Sequence, residues 1–418
     1  MAKSVNNAMN LAADFGWIGG IGYAAYWLAF VVVAVAVYVM RTRGGFTSLA
    51  GFLKTKYGTR AARLFLLVIA IRLINEVWSN TKIAALYFGA EGSSGYWIAA
   101  AGLTLFTLYY SLKGGLRSSI VTDGLQMILL LFLLVVTLGL LAPDVLRLGI
   151  PSVASGDVTP AMQAGGLTFL GLALVQTLSY GFHDPVMTDR AFVNAPGKMV
   201  ASFVLAALLG GALIVGFSSA GLYALAHDIA PSPSVAVAVP LAVGLGMTLL
   251  FNAVMLAAAG STLDSVMTAT AKFGARDWPH ADGPPTVYQQ ATGRRAMWAI
   301  AILGNLPLLS IYIDGVGPAV IAATTISGTA IMGLAPIFLL GWIKRAGRLS
   351  FHLALWPGVI IGVLLALEDI LHLPTIPSFV GIGVGPYAET LGINVYGVLL
   401  CSVLFVAGAR IRPRRGLL

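Results

Sequence analysis

Eleven apolar runs, most about twenty residues long or more, follow one another along this chain with few charges inside them. A helical run of that length crosses a hydrocarbon core roughly 30 Å thick. Inside such a core every backbone amide and carbonyl must be satisfied by the protein itself, which an open strand cannot do. The runs at 17–41, 61–88, 94–112, 119–142, 164–184, 199–227, 240–272, 296–313, 315–343, 352–371 and 391–410 therefore read as transmembrane helices. Composition agrees, because only 10% of the residues are charged, against about 25% in a soluble domain. The expected class is an all-α membrane protein, a single transmembrane domain over 1–418. Dense small residues, as in Ala206-Ala207-Leu208-Leu209-Gly210-Gly211-Ala212, let membrane helices approach closely.

Charge placement sets the orientation. The net charge is +9, and the basic residues fall in short loops between runs. The 41–61 loop holds Arg41, Arg43, Lys54, Lys56 and Arg60. With that loop inside, alternation puts 113–118, 185–198, 273–295, 344–351 and the C-terminus inside too. These carry Lys113, Arg117, Arg190, Lys198, Arg276, Arg294, Arg295, Lys344, Arg345, Arg348 and the Arg410–Arg415 cluster. The opposite loops, 143–163, 228–239 and 372–390, hold only Arg147 among them. Positive charge on the cytoplasmic side is the rule for multi-span proteins, so a cell-membrane protein with a cytoplasmic C-terminus is expected. No continuous basic surface is left for nucleic acid. Cys401 is the only cysteine, which excludes an intramolecular disulfide and a cysteine metal site.

Residues 1–16 are too polar for an ordinary span and lack the basic-then-apolar order of a signal peptide. Two readings stand: a disordered tail, or the second half of a broken helix whose first half is missing.

Polar groups inside a bilayer are costly and mark functional candidates. One cluster is Gly260-Ser261-Thr262-Leu263-Asp264-Ser265 in the 240–272 run. Its hydroxyls suit a hard cation, and they equally suit bonds to the preceding turn of their own helix. A second cluster runs from Tyr110 through Gly114-Gly115-Leu116-Arg117 to Thr122-Asp123-Gly124. A tight glycine turn there joins two runs, and Asp123 enters the next helix near its start. It is either a partner of the helix dipole or a source of negative potential for a departing cation. Arg72 and Glu76, spaced i, i+4, can pair as a structural lock or line a pathway. His183-Asp184 and the Asp277–Asp282 loop lack the further ligands a metal site needs.

The stretch Gly114-Gly115-Leu116-Arg117…Thr122-Asp123…Gln126 resembles the signature loop of the sodium:solute symporter family. Thr47-Ser48-Leu49-Ala50-Gly51-Phe52-Leu53, Gly181-Phe182-His183-Asp184-Pro185…Arg190 and Ser261-Thr262 are similar to further family segments, in the same order. The resemblance implies a leucine-transporter-type bundle of two inverted five-helix repeats, with solute and ion near the midplane. It implies a transport core over 1–343 and additional helices and a cytoplasmic tail over 352–418. Against the family's usual thirteen or more spans, about eleven full spans plus a partial first core helix are expected here.

The resemblance also implies a sodium site made by the Ser261 and Thr262 hydroxyls, the Ala258 carbonyl, and carbonyls of Asn7 and Asn10 on the first core helix. Asp123 matches a family aspartate close to that site. Gln176 and Asp14 fall near solute-contact positions. Each has a plainer alternative, an interhelical hydrogen bond for Gln176 and a cap for Asp14. Val33 stands where the sugar-transporting branch has a glutamate. The implied function is sodium-coupled uptake of a small organic solute, an amino acid such as proline first, with Na⁺ as coupling ion and no organic cofactor. A proton-coupled transporter and a symporter-like sensory domain are the rival readings. No nucleophile–base constellation suggests an enzyme.

Overall fold

The computed structural model describes residues 1–147, 159–279, 286–313, 327–371 and 380–411. Among the described residues the chain is helical and contains no strand. Among the described residues eight helices are long and apolar enough to cross a membrane. Their outer faces carry bare apolar side chains such as Phe106, Ile128, Val135, Leu208 and Leu249, as a lipid-facing bundle requires.

Helix α1 is Ala2–Ala24, broken at Gly16, where φ is 64° and ψ is −156°. That region of backbone space is essentially restricted to glycine. The break is a reversal. Asn7 Nδ2 donates to Tyr23 OH at 3.2 Å, yet sixteen residues of straight helix would separate their Cα atoms by about 24 Å. The polar N-terminal segment is therefore a packed half-helix, not a tail: Ala2, Val5, Ala8, Met9 and Ala12 are all buried. It lies tight against α8 (Pro196–Ala226) because Gly221 has no side chain. A Cβ there would meet the Met9 carbonyl oxygen at 2.1 Å.

After a 3-10 turn, α2 (Leu28–Gly44) continues the 17–41 run and ends on Gly45, φ 65°. The surface helix α3 (Leu49–Tyr57) starts at Ser48, whose side chain accepts from Gly51 N. Next comes α4 (Thr59–Leu86), which buries Arg72, Asn75 and Asn80 despite crossing the bundle.

Helix α5 is continuous from Ser94 to Arg147, where a glycine turn was expected at 113–118. Helical backbone persists through that turn, yet the direction reverses. Tyr110 and Thr122 both reach Oδ2 of Asp264, while a straight helix would hold their Cα atoms about 18 Å apart, beyond their combined reach. The two limbs thus act as the two expected spans.

Helix α6 (Pro160–Tyr180) is capped by Thr159 and gives way to a 3-10 turn, Gly181–His183. Extended backbone at Asp184 then leads into the short α7 (Pro185–Arg190), which the Asp184 side chain caps. This is a second interrupted helix. The expected 240–272 run divides into α9 (Val235–Val243) and α10 (Leu245–Lys272), because Gly244, at φ 134°, ends one helix and starts the next. Then come α11 (Val287–Leu303), short turns at Ser327–Ala330 and Leu334–Leu339, α12 (Arg348–Leu371) and α13 (Ala388–Arg410). The first part of the expected 315–343 span lies outside the described residues. Its described remainder is these two short turns rather than one helix.

Candidate functional site

A cavity of about 1120 Å³ lies between α1, α4, α6 and α10. One end is lined by Lys82, Leu86, Pro233, Ser234 and Glu389, the other by Asp123, Arg190 and Ser265. Of the residues singled out in the sequence, Ser261, Thr262, Asp123, Gln176, Asp14, Asn7 and Asn10 all line it.

The Asp123 end is built on α10. Ser261 and Asp264, one turn apart, are both buried. Ser261 Oγ donates to Oδ1 of Asp123, which sits on the second limb of α5. The other oxygen of Asp123 meets the Arg190 guanidinium at the end of α7, and Arg190 also donates to Ser265 Oγ at 3.2 Å. Thr262 Oγ1 donates to the Ala258 carbonyl at 3.0 Å and accepts from the Met1 amino nitrogen at 3.0 Å. Ser261, Thr262, Ala258 and Asp123 therefore present five oxygens in one neighbourhood of α10 and α5.

Asn7 and Asn10 do not join them. The end of α1 that meets Thr262 is Met1, and Asn7 and Asn10 lie roughly 9 and 13 Å further along the helix. Their carbonyls are inside helix. Their side chains serve other bonds, Asn7 to Tyr23 OH and Asn10 Oδ1 to Val235 N at 3.0 Å. The assignment by resemblance is displaced by about two turns.

Beneath this lies a hub that the sequence reading passed over. The Asp264 carboxylate accepts from Ser119 Oγ at 2.7 Å, Thr122 Oγ1 at 2.6 Å and Tyr110 OH at 2.9 Å. Ser119 Oγ also lies 3.0 Å from Ser265 Oγ. Three donors hold this carboxylate and join both limbs of α5 to α10. A lone carboxylate in an apolar run was the available signal.

Arg72 is the centre of a separate buried network. It pairs with Glu76 at 2.6 Å, donates to Tyr180 OH at 2.7 Å and lies 3.6 Å from Asp184. Arg72, paired with Glu76 within α4, thus ties α4 to the interrupted end of α6 through Tyr180 and Asp184. It also borders the cavity. On the far side of α7, Asp189 pairs with Lys272 of α10 at 2.5 Å. Burial pushes the Asp189 carboxyl up to about 6, with Lys272 opposing the shift.

The wall of the cavity is aromatic. Tyr387, Phe169, Tyr26 and Tyr180 follow one another with ring centroids 4.8, 6.3 and 5.6 Å apart. Gln176 is tied into that wall. It accepts from Tyr26 OH at 2.5 Å and donates to Asn394 Oδ1 at 3.4 Å, the interhelical bonding that was its plainer reading. Asp14 is exposed to the cavity. Among the described residues no group of three or more His, Cys, Asp and Glu could hold a metal ion.

No protein-family model and no curated protein sequence matches the chain. Solved structures do. The chain is similar to the substrate-bound outward-open state of a Na⁺-coupled sialic acid symporter, with TM-score 0.67 and 14% identity, covering 98% of this chain and 89% of that one. It is also similar to the Eremococcus coleocola manganese transporter in complex with an aromatic bis-isothiourea-substituted compound, with TM-score 0.56 and 13% identity, covering 97% and 92%. A mutant of that transporter matches with TM-score 0.55 at 13% identity over the same shares. At these identities the likeness establishes the fold, an all-helical bundle of the leucine-transporter type.

Proposed function

We propose that the chain is a sodium-coupled secondary transporter that takes up a small organic solute by alternating access. The observation that carries this reading is one cavity that joins the Asp14, Tyr387 and Glu389 region to the oxygen cluster of Ser261, Thr262 and Asp123. Such a cavity lets solute and ion stabilise the same arrangement of helices, and that is what coupling requires.

Sodium would be held by the hydroxyls of Ser261 and Thr262, the carbonyl of Ala258 and the carboxylate of Asp123, all hard oxygen donors. One end carries Pro233, Ser234 and Glu389 from the charge-poor loops and the other carries Arg190 from a basic loop. By the positive-inside rule the first end lies toward the outside and the second toward the cytoplasm, where α7 would act as the gate. Opening requires α7 to release two contacts, Arg190 with Asp123 and Asp189 with Lys272. Departure of sodium into a sodium-poor cytoplasm then frees the solute. Proline remains the first guess for an amino-acid cargo.

The test is uptake of a labelled solute panel into liposomes containing the purified protein, driven by a sodium gradient. Ser261→Ala with Thr262→Ala should raise the sodium concentration for half-maximal uptake by at least about tenfold, the loss of two ligands at about 1 kcal/mol each. Uptake that ignores sodium and follows a pH gradient would replace this reading with proton coupling.

A further inference from the structure

We infer that the solute this cavity takes carries a substituted ammonium group, held by the Asp14 carboxylate against the ring wall of Tyr387, Phe169 and Tyr26. The inference rests on the transport reading and adds the chemical class of the cargo.

The first support is the charge inventory of the cavity. Its four basic side chains are Lys3, Arg72, Lys82 and Arg190, and three of them are paired with carboxylates. Arg72 is bound to Glu76 and Tyr180, Lys82 to Glu91 at 2.9 Å, Arg190 to Asp123, and Lys3 to Asn75 Oδ1 at 3.5 Å. The three guanidinium and ammonium groups with carboxylate partners are thus not open to an anionic solute. Six carboxylates line the same space. Two of them, Asp14 and Glu389, carry no hydrogen bond or ion pair among the described residues. These two carboxylates stand on the Tyr387 side of the cavity, away from the Lys3 and Met1 ammonium groups.

The second support is the wall itself. A cation is attracted to an aromatic face within about 6 Å of the ring centroid, most strongly where water is excluded. Phe15, the residue after Asp14, packs on Tyr387 at 6.0 Å. The free carboxylate and the start of the ring series therefore share one end of the cavity. The wall offers mainly ring faces, and its two nearest hydroxyls are already drawn into bonds within the protein, Tyr26 OH donating to Gln176 and Tyr23 OH accepting from Asn7. A primary ammonium seeks three acceptors. An N-alkylated one needs fewer and spreads its charge over methyl groups that pack on rings. The site suits the second.

The test uses the purified full chain in sodium-containing liposomes, with displacement of labelled choline by tetramethylammonium and by the uncharged carbon isostere of choline. Choline should bind at least about tenfold more tightly than its isostere, and tetramethylammonium should compete with it. Asp14→Asn, a change at an exposed position, should weaken choline binding about tenfold, and Phe169→Leu should weaken it several-fold. Equal binding of choline and its isostere would overturn the inference, as would full binding by Asp14→Asn. Sodium-driven uptake of an anionic or neutral solute without choline binding would overturn the cargo class and leave the transport reading standing. Choline bound through Asp14 with no sodium-driven uptake of any solute would uphold the site and overturn the transport reading.

Discussion

Arg190 and Asp123 share a direct guanidinium–carboxylate contact, while the second oxygen of the same carboxylate accepts from Ser261. One side chain thus touches both the element proposed as the gate and the helix proposed to hold sodium. Asp123→Asn keeps the shape and removes the charge. It should lower the maximal uptake rate by about tenfold or more while changing equilibrium solute binding by less than about threefold. Rates from sodium-driven uptake, set against binding measured on the same preparation, separate the two. Normal turnover would remove Asp123 from the transport cycle.

Asp264 holds both limbs of α5 through three hydroxyl donors. Asp264→Ala removes the charged acceptor those donors share, leaving them only the Gly260 carbonyl, the Ser119 carbonyl and the Ser265 hydroxyl, and a hydrogen bond to a charged group is worth about 1.5–3 kcal/mol. The variant should unfold at a clearly lower temperature in detergent. Asp264→Asn, which still accepts through its amide oxygen, should recover part of the loss. Equal stability of Asp264→Ala and the parent would contradict the role of this carboxylate as a tie.

Gly16 turns the chain back with φ 64° and ψ −156°. Gly16→Ala forces a Cβ into a region that costs on the order of 1–3 kcal/mol. The expected result is lower thermal stability and weaker solute binding together, because the reversal sets where Asp14 and Phe15 stand. Unchanged stability would show that the reversal tolerates a side chain.

Asp189 predicts a pH effect. Its carboxyl is pushed up to about 6 in the folded chain by burial, from an ordinary value near 3.8. A carboxyl raised in this way binds its proton more readily folded than unfolded. The stability it contributes is therefore fully present below pH ~4 and is lost as pH rises through about 6. The difference in unfolding temperature between the parent and Asp189→Asn should shift in the parent's favour as pH falls from about 7 to 4. A difference that stays flat with pH would assign the titration to another group.

The spans were legible because lipid imposes a length and a polarity on each one. The boundaries of 61–88, 199–227 and 391–410 match α4, α8 and α13 to within a few residues. The reversal at Gly16 had no such signal, since a single glycine between Phe15 and Trp17 looks like many others in this chain. The displacement of Asn7 and Asn10 has the same origin. Pattern gives the face of a helix more readily than its register, and two turns of α1 separate the predicted carbonyls from the end that meets Thr262. Ser261, Thr262 and Asp123 stood out as polar groups in apolar runs, and the family resemblance placed them together. Spacing alone gave no reason for residues 138 positions apart to meet. Arg190 was visible as part of a motif, but its contact with Asp123 depends on the packing of α7 against α5. Asp264 was visible too, and its cost in a bilayer could have flagged it.

The hydroxyl triad around Asp264 also bears on how the protein is made. A lone aspartate inside a nascent span opposes its partition from the translocation machinery into lipid, by up to about 3 kcal/mol at the span's centre. The groups that relieve this opposition, Tyr110, Ser119 and Thr122, are synthesised more than 140 residues before Asp264. Ribosomal order thus delivers the acceptor only after its donors, and α10 should integrate poorly when expressed without the hairpin that precedes it.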